Sequence, residues 1–327
     1  MRRSFANVGA IAIGRNEGER LKRCLMSLSA TDIVIYVDSG STDGSAQWAA
    51  DNGAEVIELD MSLPFTAARA RNCGFRRLQE IAPLIDYVQF VDGDCELADN
   101  WLGTAASFLQ SRPDIGAVCG RRRERFPEKS IYNWLCDQEW QGPVGEVRAF
   151  GGDVMIRTQA LTAVSGYRGD MIAGEDPELG VRLRAAGWRI WRLDAEMTLH
   201  DAAMTQFRQW WRRILRSGYA FAYGAHLHGA SPERHWVWES RRAWIWGVWL
   251  PLGCLAAGLA FWPWGWLTLL IFPMQMLRQA IRNTGSLKRR ATLALFQVLS
   301  RFPEALGQIE FMRDRLLGRR TQIIEYK

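Results

Sequence analysis

Apolar residues run unbroken from Val8 to Ile13, and then Leu21, Leu25 and Leu28 fall at helical spacing across Glu17–Ser29. The first pattern predicts a strand buried on both faces, the second an amphipathic helix. The alternation repeats. Ile33–Val37 reads as a strand, Ser41–Asn52 as a helix stopped by Gly53, and Ala54–Leu59 as a third strand. Thr66–Glu80 reads as a helix, and Tyr87–Val91 as a strand that ends in acids. Such alternation predicts an α/β fold of parallel βαβ units, with ligands at the carboxyl ends of the strands. Beyond about residue 115 the pattern loosens into short strands and loops, and a long basic helix begins near Thr205.

A different pattern follows. Ala243–Leu277 holds no charged residue. As one straight helix it would span roughly 50 Å, more than the about 30 Å of a bilayer core. Pro251, Pro263 and Pro273 interrupt it, and Trp262–Gly265 reads as an interfacial turn. The expectation is one crossing, Ala243–Phe261, with a shorter segment returning through or into the same leaflet. Arg241 and Arg242 precede the stretch, and Arg278, Arg282 and Lys288–Arg290 follow it. Basic flanks on both sides place both ends on the cytoplasmic side. A buried hydrophobic hairpin of a soluble protein would show the same composition.

With 48% hydrophobic and 23% charged residues, a disordered chain, a collagen and a coiled-coil rod are excluded. The net charge of +6 conceals an asymmetry. Residues 1–200 carry 23 Lys/Arg against 28 Asp/Glu, whereas residues 201–327 carry 18 against 7 and ten of the 16 Trp. An acidic globular part before a basic, Trp-rich part points to a membrane surface and not to nucleic acid. The six Cys form no CxxC pair and read as reduced thiols of a cytosolic protein. The amino-terminal stretch reads as a first strand, not a secretion signal.

Four polar clusters stand where strands should end. In Val37–Ser45, Asp38 can accept from a base N–H or a ribose hydroxyl, and small residues let a flat ligand approach. An ordinary turn with Ser41 or Asp43 capping the next helix explains the same residues. In Phe90–Glu96, Asp92 and Asp94 flank a glycine and can gather oxygen ligands around Mg²⁺ or Mn²⁺. A solvated Asp-Gly turn is the alternative. In Ala173–Trp188, Asp176 precedes Pro177 and is a candidate N-cap, with Glu175 raising its basicity. His200 follows a pair of apolar runs and becomes a ligand only if the acids at 92 and 94 bind a metal.

In order and spacing these clusters resemble the family 2 glycosyltransferases over roughly Val8 to Gly218. The resemblance rests on the opening after Ile13, VDSGSTDGS from Val37, ARARNCGF at 68–75, Asp92–Asp94, FGGDVMIR at 150–157 and Gly174–Asp176. Trp211–Gly224 is similar to the helix after the catalytic domain in membrane-associated members, and Arg319–Lys327 to tails of members for bacterial surface polysaccharides. The implied fold is GT-A: a Rossmann-like, mostly parallel central sheet with flanking helices, residues 1–218, followed by a helical membrane-associated region, 219–327.

The resemblance further implies that Asp176 is the catalytic base and that Arg15, Asp38, Ser39, Arg71 and Asp92 bind the donor. Asp94 and His200 would hold the divalent cation, Mg²⁺ or Mn²⁺, and Asp153 and Glu175 would face the acceptor. Two positions depart from the family pattern. Ser39 replaces a frequent second acid that reads uracil, and Asp153 a frequent Asn. Gln206–Trp210 reads QFRQW, an incomplete form of the QxxRW motif of processive synthases. The implied activity is inverting transfer of one sugar from a UDP- or GDP-linked donor to a lipid-linked or surface-glycan acceptor, at the cytoplasmic face of the inner membrane. A processive membrane polysaccharide synthase and a non-catalytic nucleotide-sugar-binding scaffold are the alternatives.

Overall fold

The structure is a computed structural model that describes residues 7–318; the tail motif Arg319–Lys327 lies outside them. The chain divides into two compact units between Thr205 and Gln206. The expected divide at residue 218 falls inside an unbroken helix, Phe207–His228, whose amino end is closed by reciprocal bonds between Gln206 and Gln209.

In the first unit β1 (Val8–Gly14), α1 (Glu19–Ser27), β2 (Ile33–Asp38), α2 (Ser45–Asp51), β3 (Glu55–Glu58), α3 (Ala67–Ile81) and β4 (Tyr87–Asp92) follow the expected alternation. Strands β3, β2, β1 and β4 lie side by side and all run parallel. Then come β5 (Cys95–Leu97), α4 (Trp101–Ser111), β6 (Ile115–Glu124), α5 (Ile131–Glu139), β7 (Gly145–Glu146), β8 (Val154–Arg157), α6 (Thr158–Ala163), α7 (Glu175–Ala185) and β9 (Arg189–His200). The sheet continues from β4 through β8, β6, β9 and β5, with β7 paired to β9. Here β8 runs antiparallel to both neighbours, while β6 and β9 are parallel to each other.

Two elements differ from expectation. The region after residue 115 holds two of the longest strands, β6 and β9, in place of short strands and loops. The apolar half of β6, Ile115–Cys119, is buried, but its second half carries four charged residues and so gives no apolar signal. Helix α2 starts at Ser45 behind Gly44, whose φ of 81° makes the turn. Ser41 does not cap it, because its hydroxyl accepts from the Asn16 amide at 2.8 Å instead. Asp43 accepts from the Ser45 and Gly18 amides, each at 3.0 Å, and so ties the helix start to the loop after β1.

Ile11, Ile35, Phe90, Val118, Met155 and Ile156 form the centre of the core. Inside it Trp101 Nε1 donates to Gln89 Oε1 at 2.7 Å, which satisfies two buried polar groups at once. The register sets the site. Gly14 lies opposite Asp38 and Ile13 opposite Asp92, so those acids flank the carboxyl end of β1. On the far side of the sheet Arg122 lies opposite Thr198 and Glu124 opposite His200.

The second unit comprises α8 (Phe207–His228), α9 (Val237–Trp244), α10 (Leu250–Ala260), α11 (Ile271–Arg282), α12 (Leu287–Leu299) and α13 (Arg301–Leu316). A π turn at Ile245–Trp249 joins α9 and α10 into one 24-residue helix, Val237–Ala260, which contains an 18-residue window with a mean hydropathy of 1.6. By length and composition it can cross a membrane, and it starts earlier than the expected Ala243. A 3₁₀ segment, Trp264–Leu270, leads into α11. Leu259, Phe261, Trp262 and Trp264 are exposed at the turn between these legs. Gly218 and Gly307 bring α8 and α13 into backbone contact: a Cβ on Gly218 would overlap Glu304, and one on Gly307 would overlap Leu215.

Gly120 performs the same service where β6 meets β9. A Cβ there would stand 2.7 Å from both the Ala195 oxygen and the Trp101 ring, and 2.8 Å from Met197 Cβ. Gly120→Ala should therefore cost about 1–3 kcal/mol, as overpacking does. The check is a urea midpoint that falls at unchanged slope; an unmoved midpoint would mean the strands can separate there without cost.

Candidate active site

The carboxyl ends of β1, β2 and β4, the loop before β8 and the start of α7 bring the acids together. Asp38 is buried at the end of β2. One of its oxygens accepts from Tyr36 Oη at 2.8 Å, and the other from the Gly40 and Ser41 amides at 3.0 and 2.7 Å. The second oxygen thus shapes the turn that follows. The neighbouring Ser39 hydroxyl is buried with no hydrogen-bond partner among the described residues. Arg15 is exposed just beyond β1.

Arg71, on α3, is the hub of the site. Its side chain is 3% exposed and touches three carboxylates: Asp92 at 2.9 Å, Glu175 at 2.8 Å and Asp176 at 3.2 Å. One guanidinium therefore spans the proposed donor-side acid and the proposed base. Its plane also lies against the Tyr167 ring, 5.4 Å from the centroid. Thr66 caps α3 by accepting from the Arg69 amide, which fixes the helix start one turn before Arg71. Gly152 keeps the neighbouring loop close, since a Cβ there would lie 2.6 Å from Asp92 Oδ2.

Asp176 is not an N-cap. Helix α7 starts one residue earlier, at Glu175, behind Gly174 with φ 81°. The glycine makes the turn, so Asp176 stands inside the first helical turn with its side chain free to face Arg71. Burial raises its carboxyl well above the usual range, to about 8; Arg71 opposes this and Glu175 adds to it. Asp92 goes the other way. Burial would raise it, but Arg71 and Arg122 hold it down at about 2. Two acids on one arginine thus differ: Asp92 is held as an anion, whereas Asp176 keeps its proton up to about pH 8.

Asp94 and His200 form the second cluster. His200 Nε2 lies 3.4 Å from Asp94 Oδ2, and Nδ1 lies 3.3 Å from Glu124 Oε2. Burial, and then Arg122, lower the imidazole pKa below its ordinary value, which favours the neutral ring. Asp94, Cys95 and His200 offer ligand atoms that all lie within 4.8 Å of one another, as do Asp92, Cys95 and Asp153. An imidazole and a carboxylate facing each other fit a divalent cation. Burial pushes the Cys95 thiol well up, which keeps it a thiol and a poor ligand.

Asp153 lies deeper than an acceptor-binding residue would. It is buried, with one oxygen accepting from the Asp92 amide at 3.1 Å and the other from the Thr198 hydroxyl at 2.8 Å. It braces Asp92. Glu175 is likewise turned to Arg71. Arg122, Glu124, Trp140 and Tyr167 were not singled out by sequence. Arg122 lies 3.5 Å from Asp92 Oδ2 and 3.4 Å from Asp153 Oδ2, and stacks 4.8 Å over the Trp140 ring, which also packs edge-on against His200. The available signal was the run Arg121–Glu124. Read with period two, it separates Arg122 and Glu124 from Arg121 and Arg123, which pair with Glu196 at the surface.

Residues 11–163 match the model of the family described as glycosyl transferase family 2. The chain is 29% identical over 188 residues to the succinoglycan biosynthesis protein ExoA of Rhizobium meliloti (strain 1021), covering 54% of this chain and 55% of that one. It is 34% identical over 96 residues to a TPR repeat-containing protein of Synechococcus elongatus, covering 29% and 22%. The chain thus spans about half the length of the first curated relative and less of the second. Among solved structures it is similar to the mannosyltransferase PcManGT of Pyrobaculum calidifontis in complex with GDP-Man and Mn²⁺. That match has a TM-score of 0.60 and 19% identity, over 94% of this chain and 88% of that one. It is also similar to S. aureus TarS 1–349, with a TM-score of 0.53 and 15% identity over 96% and 92%. These structural likenesses show the fold, which is GT-A. With that fold, the match over residues 11–163 and the order of its acid clusters, the unit that holds this site belongs to glycosyl transferase family 2.

Proposed function

We propose that the chain moves one sugar from a nucleoside-diphosphate sugar, UDP- or GDP-linked, to a hydroxyl of a lipid-linked or surface-glycan acceptor, with inversion. The observation that carries this reading is Arg71, which joins a permanently charged Asp92 to a basic Asp176. Asp38 and the unpartnered Ser39 hydroxyl form the donor-side wall, and the GDP-Man in the PcManGT structure supports the donor class. Asp94 and His200 would hold a divalent cation beside Asp92; when bound, it neutralises charge that develops on the departing diphosphate. The deprotonated form of Asp176 takes the proton of the acceptor hydroxyl while that oxygen bonds to C1 and the C1–phosphate oxygen bond breaks. The electron pair leaves with the nucleoside diphosphate, and a single displacement inverts the centre.

The second unit supports a membrane location, at the cytoplasmic face where nucleotide sugars are made. Helix Val237–Ala260 has the length and composition to enter a bilayer, and the exposed Phe261, Trp262 and Trp264 suit an interface. Arg278, Arg282 and Lys288–Arg290 would then lie beside anionic headgroups, each contributing about 1 kcal/mol.

The direct experiment incubates purified protein with Mn²⁺ and a panel of UDP- and GDP-sugars and measures nucleoside diphosphate release. Release from at least one donor is expected, and none from any would leave a binding scaffold. Asp94→Ala should remove the cation dependence of diphosphate binding while the fold survives; equal affinity at saturating Mn²⁺ would clear Asp94 of that role.

Asp176→Asn should lower transfer by about 10²–10⁴-fold, the usual contribution of a general base, and leave donor binding intact. Its stability effect has a definite sign. The folded carboxyl holds its proton up to about pH 8, whereas an unfolded Asp releases it near pH ~4. The wild-type fold therefore loses stability as pH rises between those values. Asn removes that loss, so the variant's thermal stability relative to wild type should grow with pH; a relative stability that shrinks with pH would show Asp176 to be an ordinary paired anion.

Membrane attachment is tested with reporter tags at residues 1 and 327 in intact cells. Both tags are expected in the cytoplasm, with the protein retained after a high-salt wash. An external carboxyl terminus would make Val237–Ala260 a single span, and full release by salt would reduce the attachment to a surface contact.

A further inference from the structure

The cation reading leaves one buried carboxylate without a role. Glu124 ends β6, directly opposite His200 in the strand register, and is 4% exposed. Its oxygens meet three N–H donors and one ring nitrogen of His200. Oε1 accepts from Asn133 Nδ2 at 3.2 Å and the Phe126 amide at 3.3 Å. Oε2 accepts from the Ala202 amide at 3.1 Å and meets His200 Nδ1 at 3.3 Å. Three fixed N–H donors thus engage the Glu124 oxygens as acceptors. Donation to Glu124 places the imidazole proton on Nδ1, and Nε2 then faces Asp94 Oδ2, 3.4 Å away, with a lone pair that a cation between the two would take.

The same side chain fixes the chain beyond the ring. Ala202 hangs from Glu124, Met204 donates its amide to Asn133 Oδ1 at 3.0 Å, and the Ser130 hydroxyl donates to the Met204 carbonyl. Trp140 closes the remaining side of the ring, 4.8 Å between centroids and nearly perpendicular. The imidazole is thus held in one orientation.

We propose that Glu124 is the positioning residue of the cation site, holding the His200 proton on Nδ1 so that Nε2 is presented as a ligand beside Asp94. This rests on the cation-dependent reading above. Partners of this kind, bonded to the second nitrogen of a ligating histidine, are worth about 10–100-fold in metal affinity. Glu124→Gln keeps the shape but brings an amide that can donate to Nδ1. The ring then carries its proton on Nε2, where it blocks the ligand position.

The test uses the full chain with ¹⁵N-labelled histidine, free of metal, together with Mn²⁺ binding measured without any sugar donor. Wild type should show His200 as the Nδ1–H tautomer, and this spectrum alone decides the first half: an Nε2–H ring overturns the inference whether or not any variant folds. Glu124→Gln should shift the ring to Nε2–H and weaken Mn²⁺ binding about 10–100-fold. Asn133→Ala serves as the structural control, loosening the same segment while leaving tautomer and Mn²⁺ affinity unchanged. A Glu124→Gln protein that loses thermal stability as Asn133→Ala does, with wild-type tautomer and affinity, would reduce Glu124 to a fold residue and overturn the inference. Wild type that binds no Mn²⁺ while its tautomer still follows residue 124 would overturn the cation reading itself, a failure distinct from that of Glu124.

Discussion

Asp153, Glu175 and Asp176 are buried and Asp92 is half-buried around one point, and Arg71 and Arg122 are the cations that face them there. Burying a carboxylate costs several kcal/mol, and removing the partner of a buried pair costs about 3–5 kcal/mol. The elements that carry the two arginines are therefore constrained tightly. Helix α3 lies close against β1 and β2, where Gly74 leaves no room for a side chain between Ile11 and Val37. Strand β6 is held against β9 at Gly120. Each close contact places a guanidinium where its carboxylates need it.

The charge balance is uneven, and the unevenness is useful. Asp92 lies near both arginines, whereas Asp176 shares only Arg71 among its hydrogen-bonded partners and has Glu175 beside it. The same surroundings therefore hold Asp92 as an anion and raise the Asp176 carboxyl, at some cost in stability at high pH. Asp153 contributes by engaging the Asp92 amide and Thr198, which frees the Asp92 carboxylate to face the arginines.

The second unit follows other rules. Its helices meet through glycines, Gly218 and Gly307 between α8 and α13 and Gly258 and Gly265 around the turn, so backbones approach where side chains would not fit. At the same turn Leu259, Phe261, Trp262 and Trp264 expose apolar surface.

The sequence by itself determined the alternation of β1 to β4 with their helices, the acids at the strand ends and the uncharged stretch beyond Arg242. These are local properties, because periodicity reports which face of an element is buried. It also singled out Asp92, Asp94, Asp176 and His200 as candidates for the chemistry. Only the tertiary structure decided their partners. Arg122 and Glu124 belong to a charged run that reads as solvated surface until β6 is laid beside β9. The Glu124–His200 contact then joins residues 76 positions apart through strand register. Asp176 was expected to cap a helix because Pro177 follows it, yet Gly174 makes the turn and leaves its carboxyl for Arg71. A carboxylate's role depends on the charges and the water around it, and these are set by packing between distant segments that no local pattern records.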